Sequence, residues 1–191
     1  MKESDRLFLL AAIELAKKGL MTVAPNPPVG CLILKKGCII GRGYHEKAGE
    51  GHAEINALSS VSETPEGATV YVSLEPCAHQ GKTPPCVSAL IDARVRRVVV
   101  GHLDPNPLVS GKGVALLRDA GIEVEAENMP EALKLIESFQ TRMTKKRPFV
   151  RIKTASSIDG AISMASGAVS YTHLRAHETG RNLVCRLLLE K

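Results

Sequence analysis

His52-Ala53-Glu54 and the pair Cys77 and Cys86 are the residues of this chain best suited to chemistry. One imidazole and two thiolates form a three-ligand set for zinc, which at catalytic sites keeps its fourth position for water. Such a centre is formally neutral, yet zinc still brings a bound water's pKa near neutrality. A carboxylate that is not a ligand must then handle the protons. Glu54 lies two residues from His52. At the start of a helix both side chains can lean into one pocket, one toward the metal and one beside the water. The expected chemistry is metal-assisted hydrolysis, with His52, Cys77 and Cys86 on Zn2+ and Glu54 as proton carrier.

H-x-E followed by P-C-x-x-C is the signature of zinc deaminases. Here eight residues separate the two Cys, so the chain must loop out and fold back between them. Gly81 and Pro84-Pro85 suit that loop. Cys86 is then expected at a helix N-terminus, where the dipole favours its thiolate. The bland alternative is a closed zinc knuckle with His79 or His45 as fourth ligand, which leaves Glu54 without a use. Cys31 and Cys38 lie in strand-like runs and read as small core residues.

The elements around these residues alternate. Ser4 is a plausible N-cap, and Leu7, Leu10, Ala11, Ile13 and Leu15 follow at mostly helical spacing until Gly19. Ala24 to Pro28 is a rigid loop, because its prolines exclude helix and strand interior. Val29–Leu34 and Cys38–Tyr44 read as strands joined by a turn at Lys35-Lys36-Gly37. His52–Ser60 reads as helix, Thr69–Ser73 as strand, and Glu75–Pro85 as a second loop. A short helix to Asp92, a buried strand Val95–Val100 and a third rigid loop, Asp104 to Pro107, follow. Gly113–Ala120 reads as helix, Ile122–Glu125 as strand, and Glu131 to Thr144 as a final helix. This order predicts an α/β fold, a three-layer α/β/α with a mixed sheet. Ligands in such folds gather beyond strand ends, where the three loops fall.

The 191 residues are 44% hydrophobic, enough for a packed core. Without Trp and with few aromatics, that core must be mostly Val, Ile, Leu and Ala. The net charge of +5 is mild, and no basic stretch is interleaved with aromatics, so no nucleic-acid partner is expected. Five Cys is an odd count for a disulfide scaffold. No apolar run is long enough to cross a bilayer, and the N-terminus lacks a signal-peptide pattern, so a cytoplasmic location without a membrane partner is expected.

The segments PNPPVG (25–30), GYHEKAGEGHAE (43–54), LEPCAHQGKTPPC (74–86) and DPNP (104–107) resemble the deaminase half of the bifunctional riboflavin biosynthesis deaminase/reductase family. The likeness covers about residues 4–145. It implies a cytidine-deaminase-like fold and a small-molecule substrate, 2,5-diamino-6-ribosylamino-4(3H)-pyrimidinone 5′-phosphate, which loses a ring amino group to water. It also implies substrate contacts: Asn26 to the base, His79 and Lys82 near the ribose phosphate, and Asp104 and Asn106 closing the pocket, with His45 beside them. Each has a plainer reading as a loop-shaping residue.

From Arg147 to Gly167 the sequence resembles the opening of the family's second domain, an NADPH-dependent reductase. Ala155 matches a nicotinamide-cofactor contact there. Too few residues follow for a reductase, so NADPH is assigned to a missing half and no reductase activity is expected. The tail from Ser170, including YTHLRAHETGRNLVCRLLLEK, is unlike the family and reads as foreign or frameshifted. The expected division is 1–145 deaminase domain, 146–169 start of a reductase domain and 170–191 unrelated tail. Two other readings stand beside this one: another nucleobase or nucleoside deaminase, or a zinc-stabilised module without catalysis. Assembly into a homo-oligomer is left open.

Overall fold

In strand after strand, alternate side chains serve two different cores. Cys31 and Ile33, Val70 and Val72, and Val98 and Val100 pack into one cluster. Their neighbours Leu32 and Leu34, Tyr71, and Val99 pack into another. This period of two places a helical layer on each face of one sheet. The structure, a computed structural model, describes residues 2–78, 85–107 and 109–152. The chain divides into a unit Met1–Phe149 and a unit Val150–Lys191. Of the second, only residues 150–152 are described.

Five strands form the sheet: β1 (Gly30–Lys35), β2 (Cys38–Tyr44), β3 (Thr69–Val72), β4 (Arg97–Val100) and β5 (Glu123–Ala126). Their spatial order is β2-β1-β3-β4-β5. β1 runs antiparallel to β2 and β3, while β3, β4 and β5 run parallel. The sheet is therefore mixed, as the opening hairpin predicts. Helices α2 (Ala53–Ser59), α3 (Cys86–Asp92) and α4 (Lys112–Asp119) contribute Ala53, Ala57, Val87, Leu90, Val114 and Leu117 to the first core. Helices α1 (Glu3–Ala16) and α5 (Pro130–Leu135) contribute Leu9, Ala12, Ile13 and Ala132 to the second. The fold is a cytidine-deaminase-like three-layer α/β/α.

The register fixes where the loops meet. Gly30 pairs with Tyr44, and Cys31 pairs with Val72. The entry to β1 and the exits of β2, β3 and β4 therefore lie at one end of the sheet. Asn26, His45, Cys77 and Asp104 sit just beyond these four strand ends. Gly43 brings α2 close: a Cβ there would lie 2.2 Å from the Ala57 nitrogen and 2.4 Å from the Ala53 oxygen. Only a residue without a side chain lets β2 and α2 approach this far.

Some local expectations differ from the structure. The α1 N-cap is Lys2, without a side-chain hydrogen bond, and Ser4 lies within the helix. The buried stripe of α1 is Asp5, Leu9, Ala12, Ile13 and Ala16, whereas Leu7 is 63% exposed. Asp5 can occupy that stripe because Arg97 grips it with two hydrogen bonds, of 3.0 and 2.9 Å, and the Tyr71 hydroxyl donates a third, of 2.7 Å. Cys31 is a core residue, but Cys38 is exposed at the start of the edge strand. The expected final helix breaks at Ile136, whose ψ of 16° leaves the helical range, into α5 and α6 (Glu137–Lys145). Among the described residues, no helix is long and apolar enough to cross a membrane.

Candidate active site

His52 is the extended N-cap residue of α2, and Glu54 follows in the first turn. The helix start thus turns both toward one cavity of about 570 Å³, which they line with Cys77, Asn26, His45 and Asp104. The Cys77 and Cys86 sulfurs lie 3.5 and 3.2 Å from His52 Nδ1. All three donor atoms fall within 4.8 Å of one another, the spacing of ligands around a single ion. His52 and Cys77 are partly exposed and Cys86 is buried, so the cluster opens to the cavity on one side.

The electrostatics divide the pair of thiols. The Cys86 side chain donates to Cys77, and with the His52 hydrogen bond this pulls Cys77 down to about 4. The same contact and burial raise Cys86. α3 does open at Cys86, as the sequence predicts, but its first N–H donates to the Cys77 sulfur at 3.3 Å. The thiolate stabilised by this helix end is therefore that of Cys77, because Cys77 lies ahead of the helix and Cys86 within it. His52 is raised, chiefly by its hydrogen bond with Cys77. Glu54 is 3% exposed, and burial pushes its carboxyl up to about 7. A carboxyl poised there can accept or return a proton near neutral pH.

His45 reaches in two directions. Its Nδ1 lies 3.0 Å from the Gly51 carbonyl oxygen, which can only accept. The ring proton therefore sits on Nδ1, and Nε2 accepts from the Asn26 side-chain amide at 3.1 Å. Burial holds His45 below its ordinary value, which favours this neutral form. Asn26 is thereby oriented with its amide nitrogen toward His45. Asp104 and Asn106 line the cavity, and Asp104 Oδ1 accepts the Asn106 N–H at 2.8 Å, as an Asx turn would. His79, Lys82 and Ala155 lie outside the described residues.

Glu75 lies in the LEPCAHQGKTPPC segment without an expected role, yet it organises one side of the cavity. It is 5% exposed and accepts four backbone N–H groups: Asp104 and Gly111 on Oε2, and Gly113 and Val114 on Oε1. One carboxylate thus joins the Cys77 loop, the Asp104 loop and the start of α4. Phe139 and Met143 of α6 also line the cavity and were not expected from their positions in an amphipathic helix.

Residues 2–102 match the cytidine and deoxycytidylate deaminase zinc-binding region. The riboflavin biosynthesis protein RibD of Aquifex aeolicus (strain VF5) is 49% identical over 168 residues, which are 87% of this chain and 47% of that protein. Among solved structures, Acinetobacter baumannii RibD, form 2, is 53% identical with a TM-score of 0.79, covering 86% of this chain and 47% of its own. A diaminohydroxyphosphoribosylaminopyrimidine deaminase/5-amino-6-(5-phosphoribosylamino)uracil reductase from Thermotoga maritima is 46% identical with a TM-score of 0.83, covering 91% and 50%. The chain spans about half the length of these relatives.

Proposed function

The chain belongs to the cytidine and deoxycytidylate deaminase zinc-binding family, and from that premise we propose that it is a zinc-dependent hydrolytic deaminase of a diaminopyrimidine ribosyl phosphate. The deaminase domain on this reading is residues 1–145. The observation that carries it is the cluster itself: three donor atoms within 4.8 Å of one another and a fully buried, non-ligating Glu54 on the same cavity. Two sulfurs and one imidazole nitrogen fit zinc, and the open side fits a catalytic rather than a closed structural site. His52, Cys77 and Cys86 would hold the ion. When bound, zinc lowers the pKa of a coordinated water toward neutrality.

The chain's own groups account for the rest. Glu54 takes a proton as water attacks the amino-bearing ring carbon, and delivers it to the adjacent ring nitrogen. It then transfers the second proton to the departing amine, which leaves as ammonia. Burial excludes bulk water from the carboxyl and keeps it protonatable at neutral pH. Asn26, oriented by His45, is suited to bind the base, and Asp104 and Asn106 to close over it. The names of the relatives support the diaminopyrimidine substrate over cytidine or guanine, and the sequence match at His79 and Lys82 supports a phosphate contact by those residues.

Ammonia release by the zinc-loaded chain, with the diaminopyrimidine ribosyl phosphate compared against cytidine and guanine, tests the proposal. Release from the first alone is expected. Release from cytidine or guanine instead refutes the substrate assignment. Undiminished release from the Glu54→Ala variant with zinc still bound refutes the catalytic role of the carboxylate.

A further inference from the structure

α6 buries none of its side chains fully, yet it turns two large apolar ones, Phe139 and Met143, onto the cavity. They are four residues apart and so share one helix face. Between them in sequence, Arg142 reaches across: its Nη2 donates to the Pro25 carbonyl at 2.5 Å. Its guanidinium carbon lies 5.5 Å from the centre of the Phe139 ring. The helix is thus tied to the loop that carries Asn26, and the ring is held by the same side chain that makes the tie. All three residues lie beyond the matched zinc-binding region, which ends at residue 102.

We propose that α6 supplies an apolar binding wall, in which Phe139 and Met143 present a surface to the flat heterocycle of the substrate and Arg142 fixes that surface against the Asn26 loop. The inference deepens the proposed function and rests on it for the identity of the heterocycle. An aromatic ring offers a π-face to a base, and a thioether adapts to the edge of a planar ring. Hydrogen-bonding groups such as Asn26 read the polar edge of the ring, while a π-face adds affinity for any flat heterocycle of the right size. Here that face comes from a helix beyond the matched zinc-binding region.

The test uses the full zinc-loaded chain carrying Glu54→Ala, so that binding is read without turnover. Calorimetric titrations are made with the diaminopyrimidine ribosyl phosphate and, separately, with cytidine 5′-monophosphate. Adding Phe139→Ala is expected to weaken nucleotide binding roughly tenfold, and Phe139→Tyr to restore it. In the chain with Glu54 intact, Phe139→Ala is expected to raise KM by a similar factor while kcat stays within about threefold, the pattern of lost uniform binding. Phe139 is only partly buried, so its loss does not empty the core. Should that variant fail to fold, Phe139→Leu removes the π-face and keeps apolar bulk, and a smaller loss in the same direction is expected. Equal affinity with and without the ring, at unchanged zinc content, overturns the inference. So does a fall in kcat at constant KM, or failure of both nucleotides to bind. Ring-dependent binding of cytidine 5′-monophosphate without binding or deamination of the diaminopyrimidine phosphate supports the wall and overturns the substrate assignment.

Discussion

Replacing Glu54 by Gln should abolish turnover and, in the same protein, change how stability depends on pH. The carboxyl is fully buried in the first turn of α2, and burial raises it from 4.5 to about 7. Its folded-state value therefore exceeds its unfolded one. Below pH 4.5 both states hold the proton and the group costs nothing. Between 4.5 and 7 the unfolded chain releases the proton while the folded chain keeps it, so stability falls as pH rises. Above 7 the loss levels off at about 3 kcal/mol, from the difference between the two values at 1.36 kcal/mol per unit. Gln keeps the shape and cannot ionise. Urea denaturation of chelator-treated wild type and Glu54→Gln is the assay. The variant's advantage should grow by about 2–3 kcal/mol from pH 5 to pH 8. A stability difference independent of pH would refute the reasoning, because it would mean that burial does not oppose ionisation of this group.

Cys77→Ser and Cys86→Ser should each lose stoichiometric zinc and ammonia release together, read by metal analysis and activity on one sample, because a three-ligand site has no spare donor. Glu75→Gln turns an N–H₂ toward backbone donors, and the amides of Asp104, Gly111, Gly113 and Val114 should exchange with solvent roughly 30-fold faster, for about 2 kcal/mol of lost charge-assisted bonding. Asp5→Ala leaves Arg97 in a buried position with only its carboxylate neighbours on β5, and denaturation should show a loss of about 3 kcal/mol with unchanged kcat/KM at permissive temperature.

The parts of the site legible in the sequence are those that chemistry restricts by atom type. A soft divalent ion takes sulfur and imidazole nitrogen, so His52, Cys77 and Cys86 stand out wherever the fold places them. Glu54 stands out because it sits beside a ligand without being one. Asn26 and Asp104 lie in rigid loops that Pro announces at strand ends, which a mixed sheet gathers, but their roles as substrate contacts, with that of His45, were legible only through the family resemblance. Glu75 opens one of these loops, but its role was not legible. Its partners are four backbone N–H groups, and backbone donors leave no mark on residue choice. Asp5 offered no sign either, because the sequence puts the apolar positions of α1 at Leu7, Leu10, Ala11, Ile13 and Leu15; only the packing of α1 on the sheet buries Asp5 against Arg97. Phe139 and Met143 offered none, since an apolar pair four residues apart looks the same whether it faces a core or a cavity. What distinguishes them is the turn at Ile136, where a helix expected to run straight breaks, and α6 is pinned by Arg142 to the Pro25 carbonyl. Reactivity is written in residue types and survives without coordinates, whereas the apolar walls of a cavity are written in the placement of ordinary side chains.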